Sequence, residues 1–217
     1  MNPSLKNTLQ VTAVLSIQAI PVVFAPLSKL FLPVLLLNAI VCLIFVIKSP
    51  SCFNWVALFK NHVHVKSIAY GALLGLMLGF AADWIITPAL YNWLKTTPVI
   101  TSTQTLTGNF KLTMLVLFSV WLTSGICHEM VFRGFVFERL KQITQSQILA
   151  LIISTLMVGL LFLNQGFAVA LTAFIMSLVF GLIYINSKFN LVQNMVMHAV
   201  ADSVFFIAVY LNLPTAL

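Results

Sequence analysis

The sequence predicts an all-α, polytopic bundle of about seven transmembrane helices, and three observations carry that expectation. Of 217 residues, 61% are hydrophobic and only 7% are charged, against about a quarter charged in an ordinary globular domain. Eleven Lys/Arg and four Asp/Glu cannot cover the surface of a water-soluble fold of this length, whereas a surface facing lipid needs no such cover. The apolar runs are about twenty residues long, as a hydrocarbon core of roughly 30 Å requires of a helix. They are also continuously apolar, where barrel strands would alternate apolar and polar residues over about ten positions.

Apolar runs and their punctuation place the spans in order. The first covers about 8–26 and is read as a membrane helix, not a signal peptide: Pro21 and Pro26 interrupt it and no small-residue cleavage site follows. The second covers about 30–47 and closes at Lys48-Ser49-Pro50. Residues 49–65 mix aromatics with Lys and His and suit a segment lying at the interface. The third span, about 67–87, carries Gly71, Gly75 and Gly79 at every fourth position, a small-residue face that lets another helix approach closely. After a polar loop over 95–110, a long fourth helix runs from about 112 to 139. Three further spans follow, at about 147–163, 167–187 and 190–212.

The formal net charge is +7, but the basic residues stand singly between apolar runs and form no stripe, so nucleic acid is not an expected partner. Membrane lipids are. With the N-terminus inside, Lys6, Lys48, Lys60, Lys66, Arg139, Lys141 and Lys188 lie on the inner side and Lys29, Lys95 and Lys111 on the outer. That asymmetry puts the N-terminus in the cytoplasm, and short length with compact loops leans toward a bacterial plasma membrane. Cys42, Cys52 and Cys127 have no paired spacing and are expected to remain thiols.

Ionisable side chains inside a span cost several kcal/mol, so they face the bundle interior and mark function or a buried pair. Glu138 reads as a solvated helix-end residue beside Arg139 and Lys141, and Asp83 as an interfacial one beside Trp84. The other two acids belong to a constellation. Glu129 and Arg133 stand at i and i+4 on the fourth helix, the order in which a Glu and an Arg pair well. His198 and Asp202 repeat that spacing on the last span. Converged in one pocket with His128, they would offer a carboxylate, two imidazoles and a guanidinium for acid–base and oxyanion chemistry. The same spacing also suits a structural ion pair and a self-satisfied His–Asp pair, and spacing alone does not separate the two. No cofactor is expected. His128, Glu129, His198 and Asp202 are zinc-ligand types, but the run His-Glu-Met-Val-Phe lacks the second His of a zinc helix. His62 and His64 read as surface residues of the interfacial segment.

Around these residues, the stretch from about 111 to 210 resembles the CPBP intramembrane proteases, the group of the type II CAAX prenyl endopeptidases and of bacteriocin-processing or immunity proteins. Glu129, Phe132, Arg133 and Gly134 match that family's Glu-Glu-x-x-x-Arg-Gly motif, and His198 and Asp202 match its His-x-x-x-Asn/Asp motif. Two positions depart. His128 stands where the family has its first Glu, taken as the water-activating base, and the middle Phe-x-x-x-His motif falls on Val158 and Phe162. A phenyl ring neither accepts a proton nor donates a hydrogen bond.

The resemblance implies a division into N-terminal helices over 1–110 and a CPBP-like core over 111–212, with helices four, five and seven around a conical cavity open to the cytoplasm. It implies endopeptidase action on a membrane-associated peptide or protein, by activated water and without a covalent intermediate. Glu129 and Arg133 would fix the helix and hold a substrate carboxylate, His198 and Asp202 would serve the oxyanion, and His128 would replace the base. With Phe162 in place of a His, activity is expected to be weak, altered or absent. The alternative is a pseudoprotease that binds a peptide or membrane partner, as in bacteriocin immunity. A small transporter would need polar residues strung across the bilayer and broken helices at its midplane, and the sequence supplies no such path.

Overall fold

The computed structural model describes residues 3–24, 31–48, 63–96 and 105–215. Most of the expected interfacial segment, with Cys52 and His62, lies outside them, as do 97–104 of the expected loop. Seven helices form the described part: α1 (Pro3–Phe24), α2 (Phe31–Lys48), α3 (Val65–Leu94), α4 (Phe110–Thr144), α5 (Gln147–Leu161), α6 (Phe167–Asn186) and α7 (Leu191–Tyr210). They coincide with the seven apolar runs, and no strand occurs among the described residues. By length and composition α3, α4, α6 and α7 can each cross a membrane, while α5 is a shorter apolar helix of 15 residues. The protein is a polytopic integral membrane helix bundle.

The helix boundaries have local causes. Asn109, Ser146 and Asn190 each turn a side-chain oxygen back onto the amide three residues on, at 3.2, 3.3 and 3.0 Å, and so start α4, α5 and α7. Lys95 and Gln145 end α3 and α4 in the left-handed conformation. The third span runs past its expected end at 87 to Leu94. Pro88 lacks an amide proton and would clash with the preceding turn of a regular helix. Residues Ala82–Ile86 widen into a π turn just before it, with the Thr87 amide bonded to the Ala82 carbonyl, and the helix continues.

Two apolar clusters hold the bundle. In one, Val11 and Val14 of α1 and Cys42 of α2 pack on Met130 to Val136 of α4, joined by Leu151 and Val158 of α5 and Tyr184 of α6. Cys42 and Cys127 are both buried free thiols. In the other, Met176 and Phe180 of α6 meet Met197 and Ala201 of α7, with Leu74 and Leu78 of α3 against them. The closest packing is that of α3 on α7. A Cβ added to Gly71, Gly75 or Gly79 would lie 2.6, 2.5 or 2.6 Å from the carbonyl oxygens of Gln193, Met197 and Ala201. The small-residue face therefore lets α3 seat its backbone on α7, the helix that carries His198 and Asp202.

Candidate active site

Glu129 is the centre on which the polar side chains converge. It is fully buried on α4, at the junction of two π-helical segments, Trp121–His128 and Met130–Val136. A π turn places successive side chains closer in angle than an α turn, and such turns recur at functional sites. Here His128 and Glu129, neighbours in sequence, both turn toward α7. Gly125, one turn earlier, permits the approach, because a Cβ there would stand 2.7 Å from that of Ala199.

Each oxygen of the Glu129 carboxylate has its own partners. Oε1 lies 2.6 Å from His198 Nδ1 and 3.7 Å from His128 Nδ1. Oε2 accepts from Asn194 Nδ2 at 2.8 Å and faces Arg133 Nε at 3.6 Å. The expected i, i+4 pair is therefore formed, wholly inside the protein. The other end of the Arg133 guanidinium is also fixed, since Nη2 donates to the Ser177 carbonyl at 2.8 Å and to Ser177 Oγ at 2.9 Å on α6. With Arg133 at 0% exposure, the guanidinium faces α6 and Glu129 from inside the protein. Its duty is to hold α4, α6 and α7 together around a compensated charge.

The two imidazoles remain partly open. The His128 and His198 side chains are 16% and 15% exposed, with ring centroids 5.1 Å apart in an edge-to-face arrangement. His198 also lies 5.0 Å from the Phe180 ring, and its Nε2 faces Asp202 Oδ2 at 3.7 Å. Ser124 of α4 stands beside Asp202. Both histidines thus turn Nδ1 toward one carboxylate oxygen, though only His198 is within hydrogen-bond distance of it, and Nε2 of His198 faces Asp202. When one ring nitrogen is held by a carboxylate, the tautomer and orientation of the other follow.

All five sequence-predicted residues, His128, Glu129, Arg133, His198 and Asp202, lie within this one network. Asn194 and Ser177 were not singled out from the sequence. Asn194 had a legible signal: Asn194, His198 and Asp202 recur at every fourth position and share one face of α7. Ser177 had none, since a lone Ser in an apolar span is unremarkable until an Arg reaches it. Phe162 caps the C-terminal end of α5 and packs against the apolar core, and α5 has no ionisable side chain. The third helix touching the network is α6, through Ser177 and Phe180.

The remaining acids lie apart from this centre. Glu138 pairs with Lys141 at 3.1 Å. Asp83 sits in the π turn of α3 with Oδ2 enclosed. His128, Glu129 and His198 are also the group that could hold a metal ion, their ligand atoms lying within 4.8 Å of one another. The 2.6 Å between His198 Nδ1 and Glu129 Oε1 is the separation of two atoms sharing a proton. Two ligands of one tetrahedral zinc stand roughly 3.3 Å apart, given bonds of about 2.0–2.1 Å, so an ion would require these two to separate.

Residues 110–204 match the family model described as type II CAAX prenyl endopeptidase Rce1-like. The match covers α4 to α7 as far as Val204 and so includes every member of the network. It bears out the CPBP resemblance drawn from the motifs of the same stretch. No curated protein matches the chain. No solved structure matches it either.

Proposed function

We propose that this integral membrane protein, whose residues 110–204 form an Rce1-like, CAAX-protease-like domain, hydrolyses peptide bonds of membrane-associated peptides or proteins with a histidine as the base. The observation that carries this reading is that Glu129 Oε1 is hydrogen-bonded to His198 at 2.6 Å and faces His128 at 3.7 Å, with both imidazoles partly exposed. Both Glu129 oxygens have partners, so this carboxylate orients and does not itself abstract a proton. His128 stands one residue earlier, at the family's base position, with Nε2 left to accept one.

The step then runs as follows. Water attacks the scissile carbonyl carbon, and its proton passes to His128 Nε2. The charge that forms on the carbonyl oxygen is met by His198 as the imidazolium, its Nδ1–H kept on Glu129 and its Nε2–H, beside Asp202, turned to the oxyanion. Collapse expels the amine, which takes the proton back from His128. No covalent enzyme intermediate forms and the chemistry calls on no metal. Losing one oxyanion donor costs roughly 10²–10³ in rate. Without the family's middle histidine, at Phe162, turnover is therefore expected to be slow by about that factor.

One observation favours a second reading. Phe162 stands where the family has its middle His, so α5 brings no ionisable side chain to the site, and Glu129 and Arg133 form a closed, buried pair. A pseudoprotease that binds a peptide or membrane partner, as in bacteriocin immunity, would need only that. On either reading the chain divides into N-terminal helices over 1–110 and the catalytic-type core over 111–212. It resides in a bacterial plasma membrane with its N-terminus cytoplasmic, the side favoured by seven basic residues against three.

The test is cleavage of prenylated and leader peptides by the purified protein in detergent, alongside His128→Ala and Glu129→Gln, with and without a chelator. The proposal expects slow cleavage, lost in both variants and indifferent to chelator. Sensitivity to chelator would replace the metal-free step with one at the His128, Glu129 and His198 group. Cleavage unaffected by His128→Ala would remove the assigned base.

A further inference from the structure

At the opposite end of the bundle from Lys141, a second polar site is built where α3 ends and α6 begins. A cavity of about 370 Å³ lies there, lined by Tyr91 and Lys95 of α3, Thr96, and the turn Gln165-Gly166-Phe167 that opens α6. Four features of this cavity point one way. Tyr91 is only 8% exposed, and its hydroxyl is enclosed without a hydrogen-bond partner. Helix α6, 20 residues long, starts at Gly166 with no side chain capping its first amides. Gly166 has φ of +109°, a conformation that keeps a Cβ out of the mouth of the site. Lys95 brings a full positive charge, and among the described residues no carboxylate lines the cavity.

A buried hydroxyl without a partner costs about 1–3 kcal/mol, so its retention calls for a ligand that accepts from it. Uncapped amides at a helix start, together with an ammonium, select an anion with several acceptor oxygens. The level of the site narrows the class. It lies at the ends of two helices that can each cross the bilayer, α3 and α6, where lipid headgroups sit. Phe167, 59% exposed, lines it, and Trp93, 72% exposed, stands in the same last turn of α3, as aromatic residues do at a membrane interface.

We propose that the Tyr91–Lys95–Gly166 cavity binds a phosphate group at the membrane surface, as the phosphodiester of an anionic phospholipid or as free phosphate. The Tyr91 hydroxyl, the Lys95 ammonium and the α6 amides would each donate to its oxygens, and Phe167 would lie against the apolar part of a lipid. The site is separate from the Glu129 network and does not depend on the chain being a peptidase.

The experiment follows thermal unfolding of the full chain, purified in detergent and stripped of phospholipid. It is titrated in parallel with short-chain phosphatidylglycerol, inorganic phosphate and diacylglycerol. A ligand bound to the folded state raises the midpoint in proportion to occupancy. The expected result is saturable stabilisation by phosphatidylglycerol and none by diacylglycerol. Lys95→Gln should weaken apparent affinity about tenfold or more, Tyr91→Phe about threefold, and Lys95→Arg should restore it to within about threefold of wild type. Phosphatidylglycerol acting alone assigns a lipid headgroup, and equal saturation by inorganic phosphate assigns a soluble source. Tyr91→Phe keeps the ring and the fold, so the test stands even if Lys95→Gln unfolds. Equal affinity in wild type, Lys95→Gln and Tyr91→Phe, or no response of the wild type to either phosphate source, overturns the proposal.

Discussion

At the scale of single residues, Glu129 decides more than any other side chain. It sits at 0% exposure between an Arg, an Asn and two His residues, a set of partners that compensates a charge which membranes otherwise exclude. Removing that charge leaves the buried Arg133 guanidinium without a counter-ion, with only the Ser177 contacts remaining. Glu129→Gln should therefore lower stability by about 3–5 kcal/mol, read as a fall in thermal unfolding midpoint in detergent, and abolish cleavage with it. Asn194→Ala removes one neutral donor to the same carboxylate and should cost only about 1–3 kcal/mol. Its cleavage should drop by about tenfold, because His198 keeps its own contact. The sequence made the pairs legible through their i, i+4 spacing but not the centre, because spacing along one helix says nothing of which oxygen faces the next. Arg133 illustrates the gap. Its pairing with Glu129 was readable, whereas the Ser177 contacts that hold its other end depend on how α6 packs.

Among the elements, α7 is the one whose rotation sets the site, since Asn194, His198 and Asp202 all lie on one of its faces. Its angle is fixed from outside by α3. The three close glycine contacts fall on the carbonyls of Gln193, Met197 and Ala201, each one residue before a member of the network. Gly75→Val would push α7 away from α3 and toward α4, an overpacking that costs about 1–3 kcal/mol. Cleavage should fall by about tenfold or more although no polar residue is touched, and loss of activity with an intact helical circular dichroism spectrum would show it. Activity equal to wild type would contradict the role given to α3. The glycine repeat was readable in the sequence as a packing face, but its partner was not. The extent of α3 was misjudged at Pro88 for a related reason: a π turn that carries a helix through a proline leaves no mark in the pattern of apolar residues.

For the whole molecule, the N-terminal helices and the core share one apolar cluster and are tied at one end by polar contacts. Asn7 of α1 donates to Gln142 at 2.9 Å and accepts from Arg139 at 3.1 Å. Asn7→Ala should loosen α1 by about 1 kcal/mol, detectable as faster proteolysis near the N-terminus with little change in cleavage. The bundle's orientation is testable through single cysteines at Lys95 and Lys141 in a background lacking the native thiols. An impermeant maleimide applied to intact cells should label the first and spare the second; the reverse pattern would invert the topology. Composition made membrane residence and the seven helices among the described residues legible, because lipid demands long apolar runs whatever the function. The chemistry was legible only as far as the family motifs reached, and the departures at His128 and Phe162 leave its outcome to experiment.

His198 carries the largest share of the proposed chemistry. Its Nδ1 is held by Glu129 at 2.6 Å, and its Nε2 is assigned to the oxyanion. The deciding measurement is single-turnover cleavage of a panel of prenylated and leader peptides by the purified wild type and by His198→Ala, both shown to be folded. The account predicts slow cleavage by the wild type and at least a hundredfold loss in the variant, of the size that removing one oxyanion donor produces. Cleavage at equal rates in both proteins would contradict a site centred on Glu129, and no cleavage by the folded wild type of any peptide would favour the binding reading instead.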